Sequence, residues 1–400
     1  MSYKNIYILG VGGSGMSSIA KYLKQKGDNV IGYDQRKSYV TNLLNQDGIK
    51  VVHTLDEITY KPESLYIYSS AIPIESDRFE DFYDKENVLS RPEYLKNLSE
   101  NHKIIGITGT HGKTSTTALL SHIFHFNNVN VSYLYGGITT FNGIGGHYGD
   151  PDQPLILETD EAFNTFEKIK ISDLLVLNVD SDHLDYFKNL DNYKDAFYKV
   201  MKNVTDNLVI NNDDLNIKSM KDLKNPVSYG KDISADFKVQ SPGTFIYENN
   251  KYEIKSDIIG DHFKSNMLGA IILALLNGIE IKDSLNAIES FAGVKRRIEL
   301  IGISKGVLIY DDYGHHPTEM EATITALKQQ TESKLYVVFQ PHRYTRTMEY
   351  FNSFKDSLKL ADFAIVTDIY PAGESPIPGI SSKNFEEESI KYLKSIRYVP

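Results

Sequence analysis

The sequence contains no cysteine. Disulfides, cysteine-ligated zinc and thiol catalysis are therefore excluded. It also lacks any excess of positive charge. The 43 Lys and Arg stand against 53 Asp and Glu, for a net charge of −10. That balance argues against a general nucleic-acid or membrane-surface protein. It leaves room for anionic small substrates, because a few Arg and Lys can be focused in one cleft. No apolar run approaches the ~20 residues of a membrane span. Residues 1–10 lead directly into a strand-like stretch, with no signal-peptide apolar region. A soluble cytoplasmic protein is expected, a monomer or weak homodimer, with neither nucleic acid nor membrane as partner.

At 400 residues the length suggests two to four domains and ample core. Apolar β-type runs alternate with helical patterns throughout. Asn5–Leu9 reads as a strand, followed by Met16, Ile19, Ala20 and Leu23 at helical spacing. Strands at 30–33 and 66–68 complete a βαβ opening, which implies a parallel sheet. A second unit begins near Lys103 with a strand at 104–107 and a helix marked by Ala118, Leu119, His122, Ile123 and Phe126. Buried strands are predicted at 155–157 and 174–179, short antiparallel strands within 226–259, and an apolar helix over 267–276. A third unit begins near Gly293, with strands at 307–310, 335–339 and 363–367. The reading is an α/β protein of three domains: 1–98, 99–293 and 294–400. The first and third are expected to be Rossmann-like and the second P-loop ATPase-type, all with mainly parallel sheets.

Gly10, Gly12 and Gly15 form a G-x-G-x-x-G loop between the first strand and first helix. Glycines allow a tight turn and close backbone approach, and the helix N-terminus points N–H groups at a diphosphate. Asp34 ends the second strand, where a dinucleotide site places its ribose acid. The pattern does not tell NAD from a UDP-sugar, and Asp34 is equally readable as a solvated strand end.

A second loop, Thr-Gly-Thr-His-Gly-Lys-Thr at 108–114, also follows a strand and opens a helix. Its backbone N–H groups would cradle phosphates, Lys113 would neutralise the β/γ oxygens, and the Thr114 hydroxyl would reach Mg²⁺. The common longer pattern would place Gly at 107, where Ile stands, so the loop is a variant. Two phosphate loops suggest two nucleotides: one consumed, the other a handle on the substrate.

At this point the sequence resembles the Mur ligase family over nearly its whole length. The collinear pieces are Gly-Val-Gly-Gly-Ser-Gly-Met-Ser-Ser at 10–18, Ser-Ser-Ala-Ile at 69–72, the loop at 108–114 and Glu-Thr-Asp-Glu at 158–161. They continue with Asn-Val-Asp-Ser-Asp-His-Leu-Asp-Tyr at 178–186, Gly-Val-Lys-Arg-Arg at 293–297, Asp-Asp-Tyr-Gly-His-His-Pro at 311–317 and Phe-Gln-Pro-His-Arg-Tyr-Thr-Arg at 339–346. The last two resemble the alanine-adding branch of the family.

The resemblance implies that ATP phosphorylates the carboxylate of UDP-N-acetylmuramic acid. The amino group of L-alanine then attacks the acyl phosphate, in peptidoglycan precursor synthesis. It implies ATP contacts from Gly109, Thr110, His111, Gly112, Lys113, Thr114, Ser115 and Asn266, and magnesium held by Thr114, Glu158 and His183. Gly12, Ser14, Gly15, Met16, Asp34 and Ser70 would take the UDP sugar. Arg296 or Arg297 would stabilise the transferring phosphoryl group. His315, Arg343 and Arg346 would gather the alanine carboxylate, for which a guanidinium fork is suited, and Tyr313 would border its side chain.

Other readings stay open. Adjacent Arg residues are most often surface charge, and Asp160 and Glu161 could simply cap the following segment. Three departures from the family pattern stand out. Phe263 replaces an Asn on the adenine side, Ala162 and Phe163 replace Ser-Asp, and the chain stops at Pro400, before a further strand and Gly-Ala-Gly turn, so an incomplete third domain is expected. The rivals are a murein-peptide recycling ligase, a nicotinamide-dependent dehydrogenase, and a nucleotide-binding protein without ligase activity.

Overall fold

A computed structural model describes residues 3–162, 165–182, 184–390 and 395–400. The chain divides into two compact units, Met1–Asp257 with Lys264–Lys295, and Ile258–Phe263 with Arg296–Pro400.

The first unit opens with a parallel sheet of β1 (Asn5–Leu9), β2 (Val30–Tyr33), β3 (Lys50–Val52), β4 (Ser64–Tyr68) and β5 (Val88–Ser90), in the order β3-β2-β1-β4-β5. Strand alternation sends Ile6 and Ile8 into one core, and Tyr7 and Leu9 into another. On the second face Tyr7 stacks on Tyr66 with centroids 4.9 Å apart. The helix Ser14–Gln25 buries Met16, Ile19, Ala20 and Leu23, as their spacing predicts. Strand order reverses on either side of β1, so the first glycine loop lies at the switch point where parallel sheets bind ligands.

A ten-stranded sheet follows, in the order β15-β14-β13-β12-β11-β10-β6-β9-β7-β8. Its strands are β6 (Ile104–Thr108), β7 (Ser132–Thr139), β8 (Gly143–His147), β9 (Leu155–Glu158), β10 (Asp173–Val176), β11 (Asn207–Asn211), β12 (Val227–Gly230), β13 (Phe237–Ser241), β14 (Thr244–Tyr247) and β15 (Asn250–Glu253). The central strands are parallel; β8 at one edge, and β14 and β15 at the other, run antiparallel to their neighbours. β6 and β10 are buried along their full lengths, which accounts for the apolar runs at 104–107 and 174–176.

The β7–β8 hairpin packs on the helix Ser14–Gln25 and joins the two sheets. A side chain at Gly146 would overlap the Ser18 backbone. Lys21 reaches across to donate to the Asn142 and Ile144 carbonyls. Burial lowers the Lys21 pKa, with Asp47 opposing that shift.

The second unit holds a parallel sheet of β18 (Tyr336–Phe339), β19 (Phe363–Val366) and β20 (Ile396–Tyr398). Its core includes Ile324, Phe339, Phe354, Leu358, Val366 and Phe385. The strand expected near 307–310 does not join this sheet. It forms β17 (Val307–Asp311), antiparallel to β16 (Glu299–Ser304), in a separate two-stranded hairpin. The reason is local. Lys305 and Gly306 both have positive φ, 49° and 82°, the backbone of a two-residue turn that returns the chain at once. Leu300, Ile303, Val307 and Leu308 of this hairpin are exposed. No helix among the described residues is long and apolar enough to cross a membrane.

Candidate active site

The first glycine loop is shaped by its own sheet. Gly10, at φ 80°, and Val11 donate to the Tyr33 carbonyl at 2.8 and 3.0 Å. Asp34 accepts the Gly12 N–H at 2.9 Å with one carboxylate oxygen and the Arg36 N–H at 3.0 Å with the other. Asp34 therefore fixes the loop. Met16 is 2% exposed, its side chain in the core and its N–H on the Gly13 carbonyl. Ser70 is exposed in the turn after β4.

Arg91 was not singled out by sequence reasoning. Its guanidinium lies against Gly15, so close that a Cβ there would fall 2.8 Å from Nε. That Nε is buried without a hydrogen-bond partner. Arg91 Nη1 lies 3.9 Å from the Asp160 carboxylate. The available signal was an arginine directly after a strand end, at the same edge as the glycine loop.

The second loop leaves β6 through Gly109, at φ 141°, and enters the helix Lys113–Phe126 through Gly112, at φ 85°. Asn178 holds it by accepting from His111 N–H at 2.8 Å and donating to the His111 carbonyl at 3.0 Å. Asn178 stood within a quoted motif but carried no assigned role. Thr110 Oγ1 accepts the Asp180 N–H at 2.8 Å and lies 3.0 Å from the fully buried Tyr193 hydroxyl. His111 Nε2 is 3.2 Å from Asp180. Asn266 packs directly on Gly112, where any Cβ would strike its amide. Ser115 is buried in the first turn of the helix.

Lys113 donates to the Gly109 carbonyl at 2.6 Å, the Thr110 carbonyl at 3.1 Å and Glu161, whose oxygens lie 3.0 and 2.8 Å away. Burial alone would lower its pKa; the charge of Glu161, then Asp160, more than reverses this, and the ammonium is held above its ordinary value. Glu161 is 1% exposed and is the counter-ion of the phosphate-loop lysine. Asp160 accepts the Ala162 N–H at 3.1 Å, a local turn contact.

Thr114 Oγ1 donates to Glu158 Oε1 at 2.6 Å, and the Gly136 N–H donates to Oε2, also at 2.6 Å. Gly136 also faces the first loop, with Ser14 Oγ 3.1 Å from where its Cβ would stand. Gly137 faces the second, 2.8 Å from Thr114 Cγ2 by the same measure. Two glycines of β7 thus lie between the two loops, and one of them shares the Glu158 carboxylate with Thr114. A hydroxyl and a carboxylate in contact are the hard oxygen donors that magnesium prefers, so the donor set fits. The third expected ligand, His183, lies outside the described residues.

The second unit gathers another cluster. Arg296 and Arg297 lie 5.0 and 5.5 Å from the centre of the Tyr313 ring, and Tyr313 N–H donates to the Arg296 carbonyl at 2.7 Å. Arg296 also pairs with Asp311 at 3.3 Å. His315 meets Tyr313 edge-on at 5.2 Å and lies 5.5 Å from His342. His342 is pushed down to about 4, first by burial, then by the charges of His315, Arg346 and Arg343. Arg346 is 7% exposed. Arg343 Nε donates to Glu374 at 2.6 Å. Glu374 too escaped sequence reasoning. Phe263 lies beside His262, ring centres 4.3 Å apart and tilted by 39°.

Comparison with known proteins agrees with this layout. Residues 5–103 match the Mur ligase family catalytic domain, 107–274 the Mur ligase middle domain, and 296–399 the Mur ligase glutamate ligase domain. The UDP-N-acetylmuramate–L-alanine ligase of Dictyoglomus turgidum is 35% identical, over 97% of this chain and 86% of its own length. That of Caldicellulosiruptor saccharolyticus is 35% identical, over 98% and 90%. The crystal structure of UDP-N-acetylmuramate-alanine ligase from Thermotoga maritima superposes with a TM-score of 0.81 at 26% identity, over 99% of this chain and 90% of that one. A murein peptide ligase from Psychrobacter arcticus shares the fold, with a TM-score of 0.72 at 22% identity. With two glycine loops converging on β7 and relatives this similar over almost its full length, the chain belongs to the Mur ligase family.

Proposed function

We propose that this chain joins L-alanine to UDP-N-acetylmuramic acid at the expense of ATP, through an acyl phosphate, in cytoplasmic synthesis of peptidoglycan precursors. The observation that carries the reading is the meeting of the two loops at Gly136, Gly137 and Glu158. A ligase of this kind must bring one nucleotide's γ-phosphate to an acid carried by another, and such transfer asks for positioning and charge neutralisation.

Residues 1–98 take the UDP sugar. Gly12, Ser14 and Gly15 present the helix N-terminus to its diphosphate, Asp34 and Met16 hold that loop in shape, and Ser70 lines the neighbouring turn. Residues 99–293 take ATP on Gly109, Thr110, His111, Gly112, Lys113, Thr114 and Ser115, with Asn266 behind Gly112. Lys113 exchanges its contact with Glu161 for the γ-phosphate. Thr114, Glu158 and His183 hold magnesium, which when bound screens the charge of the phosphate oxygens. Residues 294–400 take alanine, its carboxylate on His315, Arg343 and Arg346 and its methyl near Tyr313. Arg296 and Arg297 neutralise the phosphoryl group.

The reaction mixture decides. Mass spectrometry after incubation with ATP, Mg²⁺, UDP-N-acetylmuramic acid and an acceptor should show the alanyl amide. A product with a tripeptide but not with free alanine would replace this reading by a recycling ligase.

A further inference from the structure

Arg343, the residue before the helix Tyr344–Glu349, adopts a conformation that favours glycine, with φ 71° and ψ 136°. Such a backbone persists only where its surroundings fix it. Here the Arg343 N–H donates to the Tyr370 carbonyl at 2.8 Å, and the Tyr370 N–H to the Pro341 carbonyl at 2.8 Å. The His342 and Tyr370 rings stack 5.4 Å apart.

The side chain is fixed from the same loop. Glu374 Oε1 accepts from Arg343 Nε at 2.6 Å and from the Thr345 hydroxyl at 2.6 Å, while Oε2 accepts the Thr345 N–H at 3.0 Å. The carboxylate is itself immobilised. Burial would raise its pKa, but the Thr345 hydroxyl and N–H, then Arg343, more than offset this and hold it below its ordinary value.

We infer that Glu374 is a positioning residue, which fixes the guanidinium plane of Arg343 to receive the carboxylate of the incoming amino acid. The inference rests on the role proposed for Arg343. Nε is the donor nearest the chain, so a bond there sets the direction of the whole fork. An arginine already ordered loses less freedom when it binds a ligand. Two effects of Glu374 oppose one another. Its order favours binding, whereas its negative charge repels a second carboxylate. Because the Thr345 donors share that charge, ordering wins.

Steady-state kinetics of the full chain test this, with Glu374→Ala, Thr345→Val and Arg343→Ala side by side. Glu374→Ala should raise KM for L-alanine on the order of 10- to 100-fold, and leave KM for ATP and for UDP-N-acetylmuramic acid unchanged. Thr345→Val keeps both charges and should raise the same KM by less; it serves as the test if Glu374→Ala does not fold. Glu374→Asp should restore part of the loss. An unchanged or lowered KM for alanine in folded Glu374→Ala or Thr345→Val would overturn the inference, as would equal losses for all three substrates. If Arg343→Ala raises KM for alanine and Glu374→Ala does not, the positioning role alone is wrong. If Arg343→Ala has no effect, the role of Arg343 itself is wrong, and the inference goes with it.

Discussion

The Thr114 hydroxyl donates to Glu158 at 2.6 Å, and the second oxygen of that carboxylate takes the Gly136 N–H at the same distance. The phosphate loop and β7 are therefore tied through one side chain. Glu158→Gln keeps the shape and removes the charge. Its rate of phosphate release should fall by about 100-fold or more, as for loss of a preorganised electrostatic group. Circular dichroism should show the fold retained. A rate within twofold of the parent would remove Glu158 from the site.

Gly137 separates Thr114 from Val294. A Cβ there would lie 2.8 Å from Thr114 Cγ2 and 2.7 Å from Val294 Cγ1. Gly137→Ala should cost about 1–3 kcal/mol of stability, the usual penalty for overpacking, and weaken ATP binding. Urea denaturation and nucleotide titration measure the two effects.

Lys113 is predicted to separate the two nucleotide sites. Lys113→Ala should abolish ligation and leave UDP-sugar binding intact, measured by calorimetric titration. Loss of both together would contradict the assignment of the two loops.

Arg91 faces Gly15 with a buried, unpartnered Nε. Arg91→Gln should weaken UDP-sugar binding by about 10-fold, consistent with loss of one charge-assisted hydrogen bond, with ATP affinity unchanged. Unaltered UDP-sugar affinity would mean that Arg91 serves only the pairing with Asp160.

His342 gives a pH dependence. Its pKa is lowered to about 4 from 6.5, by burial first and then by neighbouring positive charge. The unfolded chain binds a proton at higher pH than the folded one. The contribution of neutral His342 is therefore full above pH 6.5 and is lost as pH falls towards 4. Denaturation at pH 7 and pH 5 should show a larger loss for the parent than for His342→Phe; equal losses would exclude the effect.

Much of this was legible where one residue type has one physical use. The helix spacing of Met16, Ile19, Ala20 and Leu23 survives intact, and both loops declared themselves through glycines, required by positive φ at Gly10, Gly109 and Gly112 and by close contacts at Gly12 and Gly15. The β7–β8 hairpin was not legible. Its glycines at 136, 137, 145 and 146 erase side-chain alternation, and the need for them comes from distant contacts with Ser14, Thr114 and Ser18 and from Tyr135 across the hairpin itself. The hairpin of β16 and β17 was misread for another reason. β17 has the apolar run of a buried parallel strand, and only the Lys305-Gly306 turn marks it as antiparallel. Glu374 was invisible because its partner is 31 residues away.

The central claim is tested most directly by phosphate release from ATP and Mg²⁺ with UDP-N-acetylmuramic acid, with and without L-alanine. The account predicts sustained release only when both substrates are present. Release that is indifferent to alanine, or absent with ATP and the sugar acid both bound, would contradict it.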